Sequence, residues 1–546
     1  MTRILSLPAR GLKTGIQGKF SYSSSAKSLI WLTHHLGEVR CACDIPAHNY
    51  TFTFEPKRDW SSTYASAPEI KQYFNDFTDK YGLRGYIKPL HEVVGARWND
   101  DAGTWSVEIE NLTSGVTVTE TCDIIINASG YLNKWTLPDI PGLKEYKGIL
   151  LHSAKWDETF DLRDKSVALI GNGSSGVQIL PAIQPTVRNL TVFIRSPTWI
   201  LPPIGAGQHI YTPREIEEFT NNPAALMALR KGNERVVNSF FSLYLRDSPL
   251  QEELKTQVKK EMKSRLQDEA MEGKLIPSWG LGCRRLTAGP SYLESLCKDN
   301  VQVVHGGVVG LTEQGCKCDD GKIYPVEVVI CATGFDTSFR PRFPMIGMGG
   351  LNLQDEWADK PKSYLGIGAA HFPNLFFLLG PHSPIANGPL LPALETQTDH
   401  ILALIDRWQT ENIHSFSPKP AAVEDFLEHT EAFMKNTVWT DECRSGYKNH
   451  TVQGRTPSLW PGSSLHCVEA LKDLRADDWH IRYRGNRFAW LGDGFSQAEL
   501  DPTCDLGYYL KDHDDSPYSS RSKRREMSTK SGSMPPRALF KVQRPD

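Results

Sequence analysis

Three glycines, Gly171, Gly173 and Gly176, have the spacing of a phosphate-binding turn. In such a turn the first glycine permits a tight bend, the second lets the backbone approach a pyrophosphate, and the third lets a helix pack on a strand. Apolar residues 167–170 predict a strand directly before the turn, and a helix is predicted directly after it. The free N–H groups at the start of that helix favour an anion. The order strand, turn and helix therefore predicts a dinucleotide site rather than an ordinary loop.

A second predicted strand, residues 190–194, ends at Arg195 and Ser196. An NAD site usually has an acid at this place, where it accepts hydrogen bonds from the ribose hydroxyls. A cation and a hydroxyl suit the 2′-phosphate of NADP instead. The alternative is an exposed arginine at a strand end, which is common. Position and charge together favour NADP over NAD.

The elements predicted around this turn mix strands and helices in the manner of an α/β fold. Two apolar strands, residues 123–127 and 326–330, each run into a small-residue turn, at 128–130 and 332–334. Such turns occur where a backbone approaches a ligand closely. This internal symmetry predicts two related dinucleotide-binding, Rossmann-like domains. Further predictions are a strand at residues 50–54, a helix at 68–81, a hairpin at 93–109 and a helix at 390–408.

Length and composition exclude several classes of protein. A chain of 546 residues is too long for one compact core, so two or more domains are expected. The formal charge of −3 gives no electrostatic case for nucleic acid, and no apolar run approaches the ~20 residues that span a bilayer. The N-terminus lacks a signal-peptide pattern, and the eleven cysteines lack disulfide or zinc spacing. We therefore expect a cytoplasmic protein with reduced thiols and no metal site.

Residues 146–157 carry a longer pattern, Tyr-Lys-Gly-x-x-x-His-x-x-x-Trp-Asp. It resembles the fingerprint F-x-G-x-x-x-H-x-x-x-W-[P/D] of Baeyer–Villiger monooxygenases, with tyrosine in place of phenylalanine. The fingerprint residues are Tyr146, Gly148, His152, Trp156 and Asp157. Further pieces similar to the same family follow in the family's order, at residues 43–46, 171–178, 195–196, 282–285, 332–335 and 380–384. The closest likeness is to the flavin monooxygenases that tailor fungal polyketides and terpenoids.

The resemblance implies an FAD- and NADPH-dependent monooxygenase of natural-product biosynthesis. Reduced flavin would trap O₂ as a C4a-peroxyflavin, which oxidises a ketone to an ester or lactone. The flavin carries this chemistry, and the protein positions it and tunes its charge. A small-molecule ketone and O₂ are thus the expected partners.

The resemblance also implies roles for single residues. Arg285 aligns with the family's active-site arginine, which would stabilise negative charge beside the flavin, and Asp44 aligns with an acid that positions it. A surface arginine pair and a turn cap are the ordinary alternatives. Tyr50 and Val93 match positions that meet FAD, although Val93 fits a plain core strand nearly as well. The residues that match the NADP site are Asn172, Gly173, Ser174, Ser175, Gly176, Val177, Gln178, Arg195, Ser196, Cys283 and Arg284.

His152 and Trp156 invite a catalytic interpretation, as a general base and an aromatic wall. The resemblance instead implies that they belong to the inter-domain linker and couple NADP binding to domain movement. The loop at residues 380–388 would present the N-terminus of the next helix to the flavin's pyrimidine edge.

The implied domain organisation follows the family. Residues 1–37 are an atypical N-terminal segment, 38–157 the first part of an FAD-binding domain, and 158–335 an NADP-binding domain with a helical insertion at about 212–270. Residues 336–510 return to the FAD domain and form the C-terminal region. The polar residues 511–546 are expected to be a disordered tail.

One departure from the family concerns the N-terminal FAD unit of strand, glycine turn and helix. No such unit is found before Arg40, because Gly11, Gly15 and Gly18 have the wrong spacing and no strand is predicted before them. We therefore expect an incomplete FAD unit, caused by a misplaced exon boundary or by a real loss of the site. Three functions stay open: a Baeyer–Villiger monooxygenase, an N- or S-oxygenating flavin monooxygenase that needs no activating arginine, and a catalytically idle NADP-binding relative.

Overall fold

The computed structural model describes residues 42–157, 159–202 and 207–510, and the backbone of two short strands before residue 42. The chain forms two compact units, Met1–Arg484 and Gly485–Asp546. The predicted disordered tail, residues 511–546, lies outside the described residues. Within the described ranges, none of the helices has the length and apolar character needed to span a bilayer.

The strands and helices are numbered in chain order. The strands are β1 (Ile4–Ser6), β2 (Tyr22–Ser23), β3 (Ile87–Lys88), β4 (His91–Asn99), β5 (Thr104–Asn111), β6 (Thr117–Cys122), β7 (Ile125–Asn127), β8 (Ile149–His152), β9 (Ser166–Ile170), β10 (Asn189–Ile194), β11 (Ile200–Leu201), β12 (Thr287–Ala288), β13 (Val301–His305), β14 (Val308–Thr312), β15 (Gly315–Cys318), β16 (Ile323–Pro325), β17 (Val328–Cys331), β18 (Met345–Ile346), β19 (Leu375–Phe377), β20 (Ile413–Pro418) and β21 (Trp479–Tyr483). The helices are α1 (Ala67–Lys80), α2 (Ser174–Ile183), α3 (Pro213–Asn221), α4 (Pro223–Ser239), α5 (Pro249–Leu266), α6 (Glu269–Leu275), α7 (Pro290–Leu296), α8 (Leu353–Glu356), α9 (Leu390–Thr410), α10 (Pro420–Met434), α11 (Ser464–Ala470) and α12 (Gln497–Leu500).

The glycine turn follows the middle strand of a five-stranded sheet with the order β13-β10-β9-β17-β8. Every neighbouring pair in this sheet is parallel. Val167, Ala168 and Leu169 on β9 are fully buried, as expected for a parallel sheet that is covered on both faces. The strand β9, the helix α2 and the strand β10 form a βαβ unit, which confirms the predicted order of strand, turn, helix and strand.

The strand β7, which is the counterpart of β17 in the predicted internal symmetry, belongs to a three-stranded sheet. Its order is β1-β7-β19, in which β19 is parallel and β1 antiparallel to β7. The strand β7 ends directly before the small-residue turn at 128–130, just as β17 ends before the turn at 332–334. A separate sheet, β18-β4-β5-β6, contains the predicted hairpin as β4 and β5.

The predicted helical region contains α3, α4, α5 and α6. The helix α3 begins with a capping box, in which the Thr212 side chain accepts a hydrogen bond from the N–H of Glu215 and the Glu215 carboxylate accepts one from the N–H of Thr212. The helix α5 buries Val258, Met262 and Leu266, which are four residues apart and lie on one face. This face belongs to the same hydrophobic core as the glycine-turn sheet, so the helical region and the sheet support each other.

Two predictions of local structure are wrong. Residues 50–54 form bends, not a strand, because their aromatic rings pack into a cluster with α1; the ring centroids of Phe52 and Phe77 are 4.5 Å apart. The N–H of Phe52 donates to the Tyr73 hydroxyl at 2.9 Å, which takes the place of a strand partner. In the N-terminal segment, β1 precedes the three glycines before which no strand was predicted.

Candidate active site

The three glycines of the turn have different surroundings. Gly171 has a φ of +109°, and a Cβ atom there would lie 2.6 Å from the carbonyl oxygen of Ala332. A Cβ atom on Gly176 would lie 2.3 Å from the carbonyl oxygen of Gly171. A Cβ atom on Gly173 would meet no protein atom within 4 Å. The first and third glycines are therefore needed by the fold, whereas the second leaves open the space into which a pyrophosphate would come.

The helix α2 offers an anion site at its N-terminus. Its N-cap residue is Gly173, and no side chain caps the free N–H groups of the first turn. The Asn172 side chain donates to the carbonyl oxygen of Ser196 at 2.8 Å, which ties the turn to the end of β10. The hydroxyls of Ser174 and Thr287 are 2.9 Å apart. These residues thus fit the phosphates of a dinucleotide.

Arg195 and Arg284 lie at the end of β10, beyond the glycine turn. Arg284 donates through Nη1 to the carbonyl oxygen of Pro197 at 2.9 Å, so it reaches the segment that follows Arg195. Burial, followed by the charge of Arg195, holds the pKa of Arg284 below its ordinary value. Neither arginine forms an ion pair with a residue of the described ranges. The structure thus brings together the two cations that were predicted to bind the 2′-phosphate.

Arg285 and Asp44 form a second charged centre, although they are 241 residues apart in the chain. The Nε atom of Arg285 donates to Oδ2 of Asp44 at 3.0 Å, and Nη2 of Arg285 donates to the same oxygen. Nη1 donates to the carbonyl oxygen of Ile385 at 3.4 Å. The Asp44 carboxylate raises the pKa of Arg285, so the guanidinium is permanently charged. About half of the Arg285 side chain stays exposed, at 47%, so the guanidinium can face a bound molecule.

Aromatic hydroxyls surround this centre. Tyr131 and Tyr447 are close enough for their charges to influence Arg285. Tyr244 donates to the carbonyl oxygen of Ala386 at 2.9 Å. Burial raises the pKa of all three tyrosines above the ordinary value, so each is a neutral phenol at physiological pH. The charge of Arg285 acts on all three hydroxyls.

A cleft lies at the carboxyl ends of the parallel strands β7 and β19. It is lined by Asn127, Ser129, Gly130 and Tyr131 after β7, and by Leu378, Leu379, Gly380 and Pro381 after β19. Ligands of open α/β sheets bind beyond the carboxyl ends of the strands. Tyr131 is shared between this cleft and the surroundings of Arg285. Tyr131 therefore links the cleft to the Arg285 centre.

The fingerprint residues lie around β8, at the edge of the five-stranded sheet. Tyr146 is buried and donates to the carbonyl oxygen of Val326 at 3.0 Å, and a Cβ atom on Gly148 would collide with the Tyr146 ring. His152 pairs with Cys331 of β17 and stacks on Trp135, with ring centroids 4.9 Å apart. Burial lowers the pKa of His152 to about 4, so its imidazole is neutral at physiological pH.

Comparisons with known proteins agree on one family. Residues 27–346 match the family model described as flavin-binding monooxygenase-like. The FAD-binding monooxygenase moxY of Dothistroma septosporum is 36% identical over 468 residues, which cover 84% of this chain and 75% of that protein. A Baeyer–Villiger monooxygenase of Streptomyces coelicolor is 30% identical over 476 residues, which cover 86% of this chain and 88% of that protein.

The chain belongs to the flavin-binding monooxygenase-like family. The structure of cyclohexanone monooxygenase from Rhodococcus sp. Phi1 bound to NADP⁺ has a TM-score of 0.72 at 25% identity and covers 83% of this chain and 92% of that one. The structure of OTEMO in complex with FAD and NADP gives the same TM-score, 0.72, over 84% and 94% of the two chains. The predicted family, the α/β fold and the flavin monooxygenase activity are confirmed. The predicted gap in the N-terminal FAD unit lies on residues outside the described ranges.

The described part of this flavin monooxygenase fits the flavin end of FAD. The small-residue turn at 128–130 lets the backbone come close to a planar ring in the cleft. The helix α9 begins after Pro389 without a side-chain cap, so its N-terminal N–H groups are free for negative charge. Asp44 and Arg285 supply the charged pair at the other side of the site.

Tyr50 and Val93, the other two predicted FAD residues, belong to two hydrophobic clusters. Tyr50 packs on the aromatic cluster that includes Trp60 and Tyr73. Val93 is buried in the hydrophobic core of β4, β5 and β19. The FAD contacts of both residues stay predictions.

The prediction that all cysteines are reduced is wrong for two of them. Cys283 and Cys443, which are 160 positions apart in the chain, form a disulfide with their Cα atoms 6.4 Å apart. The fold brings them together, and nothing in their spacing indicates it. Because the Cys283 sulfur is bonded, only the backbone of this residue is left for the predicted NADP contact. Residues missed by the sequence are Thr287, Cys443, Arg444 and Tyr447, which lie outside recognisable motifs, and Ile385, whose loop was singled out but whose carbonyl was not.

Proposed function

We propose that this protein uses FAD and NADPH to insert one oxygen atom of O₂ next to the carbonyl of a small-molecule ketone, giving an ester or lactone. The observation that carries the proposal is the Arg285–Asp44 pair beside the cleft. Its relatives support the reaction class, since a Baeyer–Villiger monooxygenase and a cyclohexanone monooxygenase are among the similar proteins. A role in natural-product biosynthesis and a cytoplasmic location belong to the same proposal.

The chain's own residues have separate tasks in this reaction. The glycine turn and the start of α2 bind the NADPH pyrophosphate, and Arg195 with Arg284 binds the 2′-phosphate. The chemistry that FAD would supply when bound is the acceptance of hydride from NADPH and the activation of O₂ for transfer of one oxygen atom to the ketone. Arg285 stabilises the negative charge that develops during oxygen transfer, and Asp44 holds its guanidinium in place.

Three tyrosine hydroxyls lie around Arg285, whose own side chain is half-exposed. Tyr131, Tyr244 and Tyr447 are neutral, so they do not compete with the bound molecule for the arginine's charge. An electrostatic contact of this kind is stronger where water is excluded. The fingerprint residues pack β8 against β17, and we assign to them the coupling of NADPH binding to domain movement rather than proton transfer by His152.

The test is the reaction of purified protein with FAD, NADPH and a panel of cyclic and linear ketones under ¹⁸O₂. We expect a flavin spectrum and an ester or lactone that carries one ¹⁸O atom. A protein that binds no FAD even when FAD is supplied would contradict the proposal. Oxygenation of amines or sulfides but of no ketone would favour the N- or S-oxygenating alternative.

A further inference from the structure

Arg444 lies on a loop, residues 441–452, that is covalently attached to the segment carrying Arg284. The disulfide joins Cys283, the residue before Arg284, to Cys443, the residue before Arg444. Each arginine therefore directly follows one end of the same disulfide, in which the Cα atoms of the two cysteines are 6.4 Å apart. They belong to different parts of the chain, but the bridge fixes the distance between their backbones.

Arg195, Arg284 and Arg444 form a group of like charges, which we call the arginine cluster. Burial, followed by the charge of Arg444, lowers the pKa of Arg195, and burial, followed by the charge of Arg195, lowers the pKa of Arg284. Arg284 donates to the carbonyl oxygen of Pro197 at 2.9 Å, and Arg444 donates to that of His450 at 2.6 Å. No carboxylate of the described ranges pairs with any of the three.

Three neighbouring cations without an anion repel one another, and that repulsion falls when a multiply charged anion binds between them. Arg195 directly follows β10, at the position where a dinucleotide fold reads the 2′-position of the adenosine ribose. A phosphate dianion is the anion that this position receives from NADPH.

We propose that Arg444 is a third cation of the 2′-phosphate site and that the Cys283–Cys443 disulfide holds it there. This inference rests on the proposed use of NADPH. It adds a specificity-determining residue from the C-terminal part of the chain to the two that the NADP domain supplies.

The loop that carries Arg444 is anchored on both sides of the disulfide. The Asp441 carboxylate accepts the N–H of Gly280 at 2.7 Å and pairs with Arg246 at 2.7 Å. The buried Lys448 donates through Nζ to the carbonyl oxygens of Asp441 and Val452, at 2.5 and 2.6 Å. These contacts pin the ends of the loop, whereas the disulfide fixes the position next to Arg444 itself.

The test is calorimetric binding of adenosine 2′,5′-bisphosphate and of 5′-AMP, which lacks the 2′-phosphate, to the FAD-supplied full-length protein. We expect Arg444→Ala to weaken binding of the bisphosphate about tenfold, the equivalent of one hydrogen bond to a charged group, and to leave 5′-AMP unchanged. Arg455→Ala is the matched control, because Arg455 is an exposed arginine of the same region that pairs with Glu431. It should change neither affinity.

Equal bisphosphate affinity in Arg444→Ala and wild type would overturn the inference. Failure of the proposed NADPH preference has a different signature: the wild-type protein would then bind 5′-AMP as tightly as the bisphosphate. Arg195→Ala serves as the positive control. If this variant alone lost affinity for the bisphosphate, the 2′-phosphate site would consist of Arg195 and Arg284 without Arg444.

A second arm tests the disulfide. Dithiothreitol reduces the bridge by two electrons to two thiols and is itself oxidised to its cyclic disulfide. We expect reduction to weaken bisphosphate binding by the wild type, but by less than Arg444→Ala does, and to leave the affinity of Cys443→Ser unchanged. Unaltered wild-type affinity after complete reduction, verified by thiol counting, would contradict the positioning role. The comparison of oxidised with reduced wild-type protein remains decisive even if Cys443→Ser does not fold.

Discussion

The glycine turn occupies eight consecutive residues, 171–178, whereas the Arg285 centre joins residues that are 241 positions apart. The turn acts through its backbone. Gly171 and Gly176 are needed by the fold, Gly173 leaves space for a pyrophosphate, and the N–H groups at the start of α2 provide partial positive charge. The Arg285 centre works through one side chain, which a distant acid and a distant carbonyl orient. We therefore expect the glycine turn to be sensitive to added side-chain atoms, and the Arg285 centre to be sensitive to the loss of a charge.

The largest effect is expected at the assembled centre. Arg285→Ala should lower kcat for ester formation by about 10²- to 10³-fold, the usual loss when a charge-stabilising donor is removed. NADPH binding should be unchanged, because the glycine turn is built from other residues. Rapid-mixing kinetics and NADPH titration measure the two effects separately. The exposed Arg188, which pairs with Glu327, provides the control Arg188→Ala. A fully active Arg285→Ala enzyme would show that the two regions do not divide the work in this way.

Within the turn, two glycines should respond differently to the same added methyl group. Gly173→Ala meets no protein atom, so stability should stay within ~0.5 kcal/mol while NADPH affinity falls about 10- to 100-fold through obstruction of the pyrophosphate. Gly176→Ala pushes against the Gly171 carbonyl and should lower stability by about 1–3 kcal/mol. Thermal unfolding measures the change in stability of each variant, and NADPH titration measures the change in its affinity. Equal stability losses would refute the separate roles of the glycines.

The charge at the end of β10 gives a smaller, selective effect. Arg195→Ala should reduce the preference for NADPH over NADH by about 1–3 kcal/mol, because one charge-assisted hydrogen bond to the 2′-phosphate is lost. The ratio of kcat/KM for the two cofactors measures this preference. NADH kinetics serve as the internal control and should not change. An unaltered ratio would assign recognition of the phosphate to Arg284 and Arg444 alone.

The smallest effect concerns stability against acid. Burial lowers the pKa of His48, His152 and His382 from 6.5 to about 4. Between these values the unfolded chain binds more protons than the folded one, so stability is complete above pH 6.5 and falls as the pH falls towards 4. Each histidine contributes up to about 1.4 kcal/mol per pH unit in this window. Denaturant titrations at several pH values should show a shallower slope for His152→Gln and for His382→Gln. Slopes equal to that of the wild type would place the acid sensitivity elsewhere.

Much of the nucleotide-binding sheet could be predicted because its signals are local. Apolar residues of β9, the glycine spacing and the arginine after β10 lie within one βαβ unit, and each has its physical reason nearby. The bends at residues 50–54 could not be predicted, because the aromatic alternation that suggests a strand is used instead for packing on α1. Aromatic residues indicate that a segment is buried, but they do not indicate which helix or strand packs against it.

The Arg285 centre was predictable only through the family resemblance. The residues themselves show a basic pair and an acid in a turn, and the distance between them along the chain exceeds any local rule. Cys443, Arg444 and Tyr447 gave no signal, because they join the site through tertiary packing of the loop at residues 441–452. Long-range contacts of this kind need the fold before they can be recognised.

The most direct test of the central claim is a single turnover of the FAD-loaded protein. The flavin is first reduced by NADPH without oxygen, and ¹⁸O₂ is then added together with a ketone substrate. We predict one ¹⁸O atom in the ester or lactone product for the wild type, and for Arg285→Ala flavin reduction by NADPH with labelled product formed about 10²- to 10³-fold more slowly. Labelled product formed by Arg285→Ala at the wild-type rate would contradict the account.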